Sequence, residues 1–193
     1  LERSVLAVVL DGRHAHAWGA FTQHCPHPLY LFGRDHQLIF LLMDAVAARG
    51  ERIDAVSVTT EASRTVFRDA MVALRNLRAI DDTGEPASRF WKLPPAPEGT
   101  VYEDSVLIAL GGFNAVSDIA GSLAPVGGLE RNAQMIADHY RQRRLIRSLG
   151  ESLKVLQSPK GAAEIEQVSS RTLEQVSGLM GGNKSARNLG DCL

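Results

Sequence analysis

The chain has 193 residues, 45% of them hydrophobic, with 21 basic side chains against 22 acidic ones. Length and apolar content suit one core of ordinary size, or a core with an appendage, and exclude a wholly disordered chain. The net charge of −1 excludes a uniformly basic nucleic-acid binder, and no apolar run approaches the ~20 residues needed to span a bilayer.

In chain order, Glu2 to Leu10 (ERSVLAVVL) is mostly apolar and suits either a short buried helix or a strand. Residues 34 to 49 (RDHQLIFLLMDAVAAR) are apolar over more than half their circumference and stop at Gly50, a good residue just past a helix end. They predict the central buried helix. From Thr60 to Ala79, Phe67, Met71, Leu74 and Leu77 recur at steps of four and three, which predicts one amphipathic helix. Residues 81 to 104 carry four prolines, with six acidic and two basic side chains, and read as an acidic loop with Phe90 and Trp91 as an anchor. Phe113, Val116, Ile119 and Leu123 predict a short helix ended by Pro125 and Gly127-Gly128.

The C-terminal third differs. Ile136, Tyr140, Leu145, Leu149, Leu153 and Leu156 form a narrow stripe over 130 to 157, weakest at Gly150. Ser158-Pro159 offers a new helix start, followed by Ile165, Val168, Thr172, Val176 and Leu179 up to Gly181-Gly182. Two amphipathic helices with a tight break predict an antiparallel hairpin, which must pack on the preceding domain or on another subunit. The expected fold is all-α: a helical head over 1–128 with an insertion at about 60–104, a hairpin over 129–180, and a linker start at 181–193. Residues 130 to 160 carry seven basic and three acidic side chains, so near-neutrality is a cancellation between this segment and the acidic loop.

Four patterns invite chemistry. GLMGGNKS, Gly178 to Ser185, approaches the phosphate-binding loop, but Asn183 replaces its second glycine, no strand precedes it, and only eight residues follow. It reads as a helix end entering a linker. His14, His16, His24, Cys25, His27 and His36 are zinc-compatible donors, but HAH and HCPH lack the paired spacing of known fingers; they read as loop histidines near Trp18 and Phe21, and no metal is expected. No nucleophile elbow or metalloprotease motif occurs, and His139 beside Tyr140 reads as an interface residue, so no catalysis is expected. Arg141, Arg143, Arg144 and Arg147 form a basic run, either a solvated face offset by Asp138 and Glu151 or a partner surface. Cys25 and Cys192 lie at opposite ends, a poor disulfide framework that fits a reducing, cytoplasmic location. Leu1 is preceded by no Met and followed by no leader pattern, so a fragment of a longer protein is expected.

Several blocks, in order, resemble the N-terminal domain of bacterial and phage replicative DNA helicases of the DnaB type. They are ERSVLAVVLD at 2–11, HQLIFLLMDAVAARGERIDAVSV at 36–58, ALGGFNAVSDIAGSLAP at 109–125, RRLI at 143–146 and KSARNLGDCL at 184–193. Val58 to Gly111 spans 53 positions, longer than in the family, and the insertion falls there. The resemblance implies a helical head and a hairpin that pairs between subunits in a collar above a hexameric motor ring. It also implies docking of primase, and of a helicase loader in some systems. ATP, Mg and most DNA contact would belong to a motor domain beyond this segment. The interface residues expected on this basis are Arg143, Arg144, Leu145, Arg147, Leu149, Leu153, Ile165, Val168 and Val176. Three alternatives stay open: the helicase-binding domain of a primase, a basic DNA-binding helical module, and a zinc-stabilised helical domain.

Overall fold

The structure is a computed structural model and describes residues 1–81, 92–93, 102–122, 125–157 and 162–181. All regular structure among them is helical: α1 Glu2–Leu10, α2 Ala17–His24, α3 Arg34–Ala48, α4 Ala55–Arg64, α5 Phe67–Asp81, α6 Val106–Ala109, α7 Phe113–Ala120, α8 Leu129–Leu156 and α9 Ala162–Gly181. The all-α expectation therefore holds. The single β-type contact among the described residues is an isolated antiparallel bridge between Val66 and Ser105. No helix among them is long and apolar enough to cross a membrane. The Pro-rich loop with Phe90 and Trp91, and the linker segment after Gly181, lie outside the described residues.

The chain divides into two compact units, Leu1–Ala137 and Asp138 onward. The first extends past 128 because the opening turns of α8 are part of its core: Leu129, Ala133, Ile136 and Ala137 are all buried. Cys25, itself buried, donates its thiol to the Ala133 carbonyl at 3.4 Å.

At the centre of this unit, α3 buries Gln37 through Met43 without a break, and Val46 a turn later. Burial around the whole circumference is what an apolar helix of this composition requires. The one polar member is satisfied on both sides. Gln37 Nε2 donates to the Leu31 carbonyl at 2.6 Å, and its Oε1 accepts from Arg78 Nη2 at 3.1 Å. Helix α1 buries Val5 through Leu10 and packs chiefly against α7. With every side of those residues covered, the helix-or-strand ambiguity of 2–10 resolves as a helix.

The loops between these helices are set by two left-handed glycines. Gly12 follows α1 with φ +67°, and Gly50 follows α3 with φ +73°. Gly12 also sits where the chain runs against 52–54: a Cβ there would lie 2.8 Å from the Asp54 Cβ. Arg52 Nε closes the approach by donating to the Gly12 carbonyl at 2.9 Å.

Two sequence expectations are corrected. The single helix over Thr60 to Ala79 is in fact α4 and α5, broken at Thr65-Val66. Asp54 starts α4 with a capping box, its Oδ1 accepting from Ser57 N at 2.8 Å while its own N–H donates to Ser57 Oγ at 3.0 Å. The helix ends where Thr65 turns extended and its backbone pairs with a distant segment. Val106 N donates to the Thr65 carbonyl at 2.8 Å, Phe67 N to Asp104 at 2.9 Å, and Tyr102 N to Ser63 at 3.2 Å. The inward face of α5 is Ala70, Ala73, Leu74 and Leu77, while Phe67 and Met71 are half-buried. The second correction concerns the histidine-rich stretch, where residues 17–24 form α2 rather than a loop. Trp18 and Phe21 from α2 meet Phe40 of α3 with ring centroids 5.0 and 5.6 Å away.

Glu2, at the first turn of α1, ties that helix to the start of α3. Its carboxylate accepts from the backbone N–H groups of Phe32 and Gly33 and from His36 Nδ1 at 2.7 Å. An ionised carboxylate only accepts, so the imidazole Nδ1 must carry the proton. Partial burial works against the charge of Glu2, but the bonds from His36, Phe32 and Gly33 outweigh it and hold the carboxyl below its ordinary value of 4.5. A lowered folded value means that this contribution is present above pH 4.5 and is lost as pH falls through the folded value. Glu2→Gln is expected to cost about 1 kcal/mol at neutral pH and to remove part of the acid-side stability loss. Urea midpoints at pH 7 and pH 3.5 would check it. An unchanged difference between the two midpoints would refute the assignment.

Candidate partner-binding surface

The second unit begins inside α8. Asp138 and Arg141, one turn apart, form an ion pair at 2.7 Å. Tyr140 is buried, and the guanidinium carbons of Arg143 and Arg144 each lie 5.9 Å from its ring centroid. Steps of three and four from residue 140 place both cations over the same turn, within reach of the ring's negative face. The basic run is thus engaged with an acid and an aromatic ring on its own helix. Arg143 and Arg144 are half-buried, and Arg147 is exposed.

Beyond the arginines, α8 carries two parallel stripes, each stepping by three and four residues. Leu145, Ser148, Ser152 and Val155 are half-buried. One residue further round, Ile146, Leu149, Leu153 and Leu156 are 63%, 47%, 56% and 46% exposed. Neighbouring positions on an α-helix differ by about 100°, so the stripes occupy adjacent faces. The sequence stripe Leu145–Leu149–Leu153–Leu156 crosses from one to the other: Leu145 lies on the covered face and the other three on the open one.

The covered face is partly polar. Ser152 Oγ and Thr172 Oγ1 are 2.6 Å apart, joining α8 to α9. Each hydroxyl also lies close to a carbonyl of its own helix, Ser152 to Ser148 at 2.9 Å and Thr172 to Val168 at 2.7 Å. A hydroxyl has one proton, so one of the two donates within its helix and the other across. On α9, Val168, Thr172 and Val176 are half-buried, whereas Ile165 and Leu173 are 43% and 68% exposed.

The nine expected interface residues therefore divide. Leu149, Leu153, Ile165 and Arg147 are open to solvent; Leu145, Val168, Val176, Arg143 and Arg144 are partly covered within this unit. Ile146 and Leu173 join the open set and were not singled out from sequence. The 3-4-3 spacing from Ile146 to Leu156 was the signal that could have found Ile146.

The histidine-rich segment does not assemble a site. His27 is fully buried with its ring 4.6 Å from Tyr30, and Cys25 is fully buried as well, while His14 and His16 are exposed. Among the described residues, no three His, Cys, Asp or Glu side chains converge in a way that could hold a metal ion. Of the phosphate-loop-like string, 178–181 is the last turn of α9 and the remainder lies outside the described residues.

Neither protein-family models nor curated proteins give a match to this chain.

Proposed function

We propose that the chain is the non-catalytic N-terminal assembly and partner-binding domain of a cytoplasmic hexameric replicative DNA helicase of the DnaB type. In this reading α8 and α9 form an antiparallel hairpin that pairs with that of a second copy. The domain also presents a docking surface for primase or a loader. ATP, Mg and DNA unwinding belong to a motor domain outside the 193 residues. The order of the resembling sequence blocks supports the family, and one observation carries the assembly role: the exposed 3-4-3 apolar face Ile146, Leu149, Leu153 and Leu156 on a 28-residue helix. Four large apolar side chains at coiled-coil spacing are costly to leave in water, and a facing helix removes them from it.

The test is the mass of the chain in solution. The parent is expected to self-associate, and Leu149→Asp with Leu153→Asp to weaken that association by at least about tenfold, since each buries a charge at the seam. Far-UV helicity should be unchanged, because both side chains are exposed in the single chain. A monomeric parent by light scattering, or a variant of unchanged mass, would remove the basis for assembly through this face. The basic run gives less support to a DNA-binding module, since Arg141, Arg143 and Arg144 are already engaged with Asp138 and Tyr140.

A further inference from the structure

Each helix of the second unit carries three rows of side chains, each one residue further round than the last. On α8 the covered row Leu145, Ser148, Ser152 and Val155 is followed by the open row Ile146, Leu149, Leu153 and Leu156. Next come Arg147, Gly150 and Lys154, all exposed, with the half-buried Arg143 one turn before them. On α9 the covered Val168, Thr172 and Val176 are followed by the exposed Ser169, Leu173 and Ser177, and then by the exposed Glu166, Ser170 and Glu174. One residue is a turn of about 100°. In the antiparallel hairpin proposed above the covered rows face each other. The second rows then turn to the same side, and the third rows to opposite outer edges. The hairpin thus presents one face, large and apolar along α8, small around a single leucine along α9. One outer edge is basic, its cations outnumbering the neighbouring Glu151, and the other is acidic.

A second copy can cover that face about a twofold axis in two ways. With the axis across the helices, α8 lies on α8 and α9 on α9. Large side chains then meet large ones, serines meet serines, and each edge meets its own charge. With the axis along the helices, α8 of one copy lies on α9 of the other. Large rows then meet small ones, as interdigitating layers require, and basic edges meet acidic ones. The heights along the helices fit this second arrangement. Ser152 and Thr172 are level, their hydroxyls 2.6 Å apart. Gly150 is therefore level with Glu174, and Leu173 falls between Leu149 and Leu153. A twofold axis along the helices keeps these heights between copies. A Cβ at Gly150 would meet nothing within 4 Å among the described residues, so its own unit does not require a residue that weakens a helix interior.

We propose that two copies stack with α8 of each on α9 of the other. Leu173 enters between Leu149 and Leu153 of the second copy, and Glu174 stands over its Gly150, between Arg147 and Lys154. This arrangement rests on self-association through the α8 face and specifies which surface of the second copy covers it.

Single-cysteine chains test it in a Cys192→Ser background, in which Cys25 is buried. Gly150→Cys and Glu174→Cys chains are mixed and treated with a bismaleimide spanning about 10 Å, the separation of packed helix axes. Linked dimers are expected from the mixture and few from either chain alone. Glu174→Lys should weaken self-association about fivefold at low salt, and adding Arg147→Glu and Lys154→Glu to the same chain should restore it. All of these positions are exposed, so far-UV helicity should hold. Links formed chiefly by Gly150→Cys alone, or an associated parent whose mixture gives none, would overturn the arrangement and leave assembly through the α8 face standing. So would unchanged association of Glu174→Lys, or no recovery in the triple variant. A parent monomeric by light scattering would remove both.

Discussion

Phe40→Ala is expected to lower the stability of the first unit by about 3–5 kcal/mol, the largest effect of any single truncation in its core. Phe40 is fully buried on α3, the helix on which the other elements of this unit are built. Its ring meets Phe21 edge-on and Trp18 at a tilt, and those two rings are themselves 6.0 Å apart. Truncation loses the transfer free energy of the ring and leaves a cavity between α2 and α3 that the two helices cannot fully close. Phe40→Leu retains most of the volume and loses the ring geometry, so it should cost about 1–2 kcal/mol. Because domains are stable by only about 5–15 kcal/mol, the alanine variant should populate unfolded chain at moderate temperature. Urea denaturation of both variants checks the ranking. Equal midpoint shifts would mean that the aromatic cluster is not the organising contact.

Arg49→Met is expected to cost about 2–3 kcal/mol, and adding Glu61→Leu to recover most of that loss. The Glu61 side chain on α4 is 5% exposed and receives Arg49 Nη2 at 2.9 Å from the end of α3. Arg49 itself is 40% exposed and also holds Glu51, which is the leading reason its guanidinium is made still harder to deprotonate. The pair is therefore asymmetric. Removing the arginine strands a carboxylate in a dry environment, whereas removing both partners leaves an apolar contact between α3 and α4. Solvent screening at the exposed end keeps the single-variant cost below that of a wholly buried pair. A double-mutant cycle on urea midpoints measures it. If the double variant is no more stable than Arg49→Met, the stranded charge is not the cause.

Some of this was legible in the residues. The central helix was, because its apolar positions surround the axis and Gly50 supplies the left-handed stop that a β-carbon would resist. Residues 2–10 could not be told from a strand by pattern alone, since a short continuous apolar run satisfies both periods. The break at Thr65-Val66 was hidden for a different reason. The apolar spacing continues across it, and what ends α4 is backbone pairing with residues 102 to 106, some 40 positions away in the chain. The local signal at the other end of α4, Asp54 with Ser57 three residues later, was readable as a cap and would have moved its start to 55. The histidines drew attention to ligand chemistry and away from Ala17 and Phe21, whose spacing marks the buried side of α2. On α8 the stripe was found but its register was mixed, because leucines occur on both of two adjacent faces and only the contact through Thr172 distinguishes them.

The stitches around Val66 and Ser105 bear on how this chain can vary through evolution. Ser63, Thr65 and Phe67 on the outgoing side are bonded to Tyr102, Val106 and Asp104 on the returning side, so main-chain hydrogen bonds hold the departure and return points side by side. The buried side chains of Thr65, Ser105 and Val106 add packing to those bonds. Once the feet are held, doubling the length of chain between them adds only about 0.6 kcal/mol of closure entropy. Added chain length between these two feet therefore weakens their pairing only slowly, which lets the connection change in length at little cost to the helices on either side.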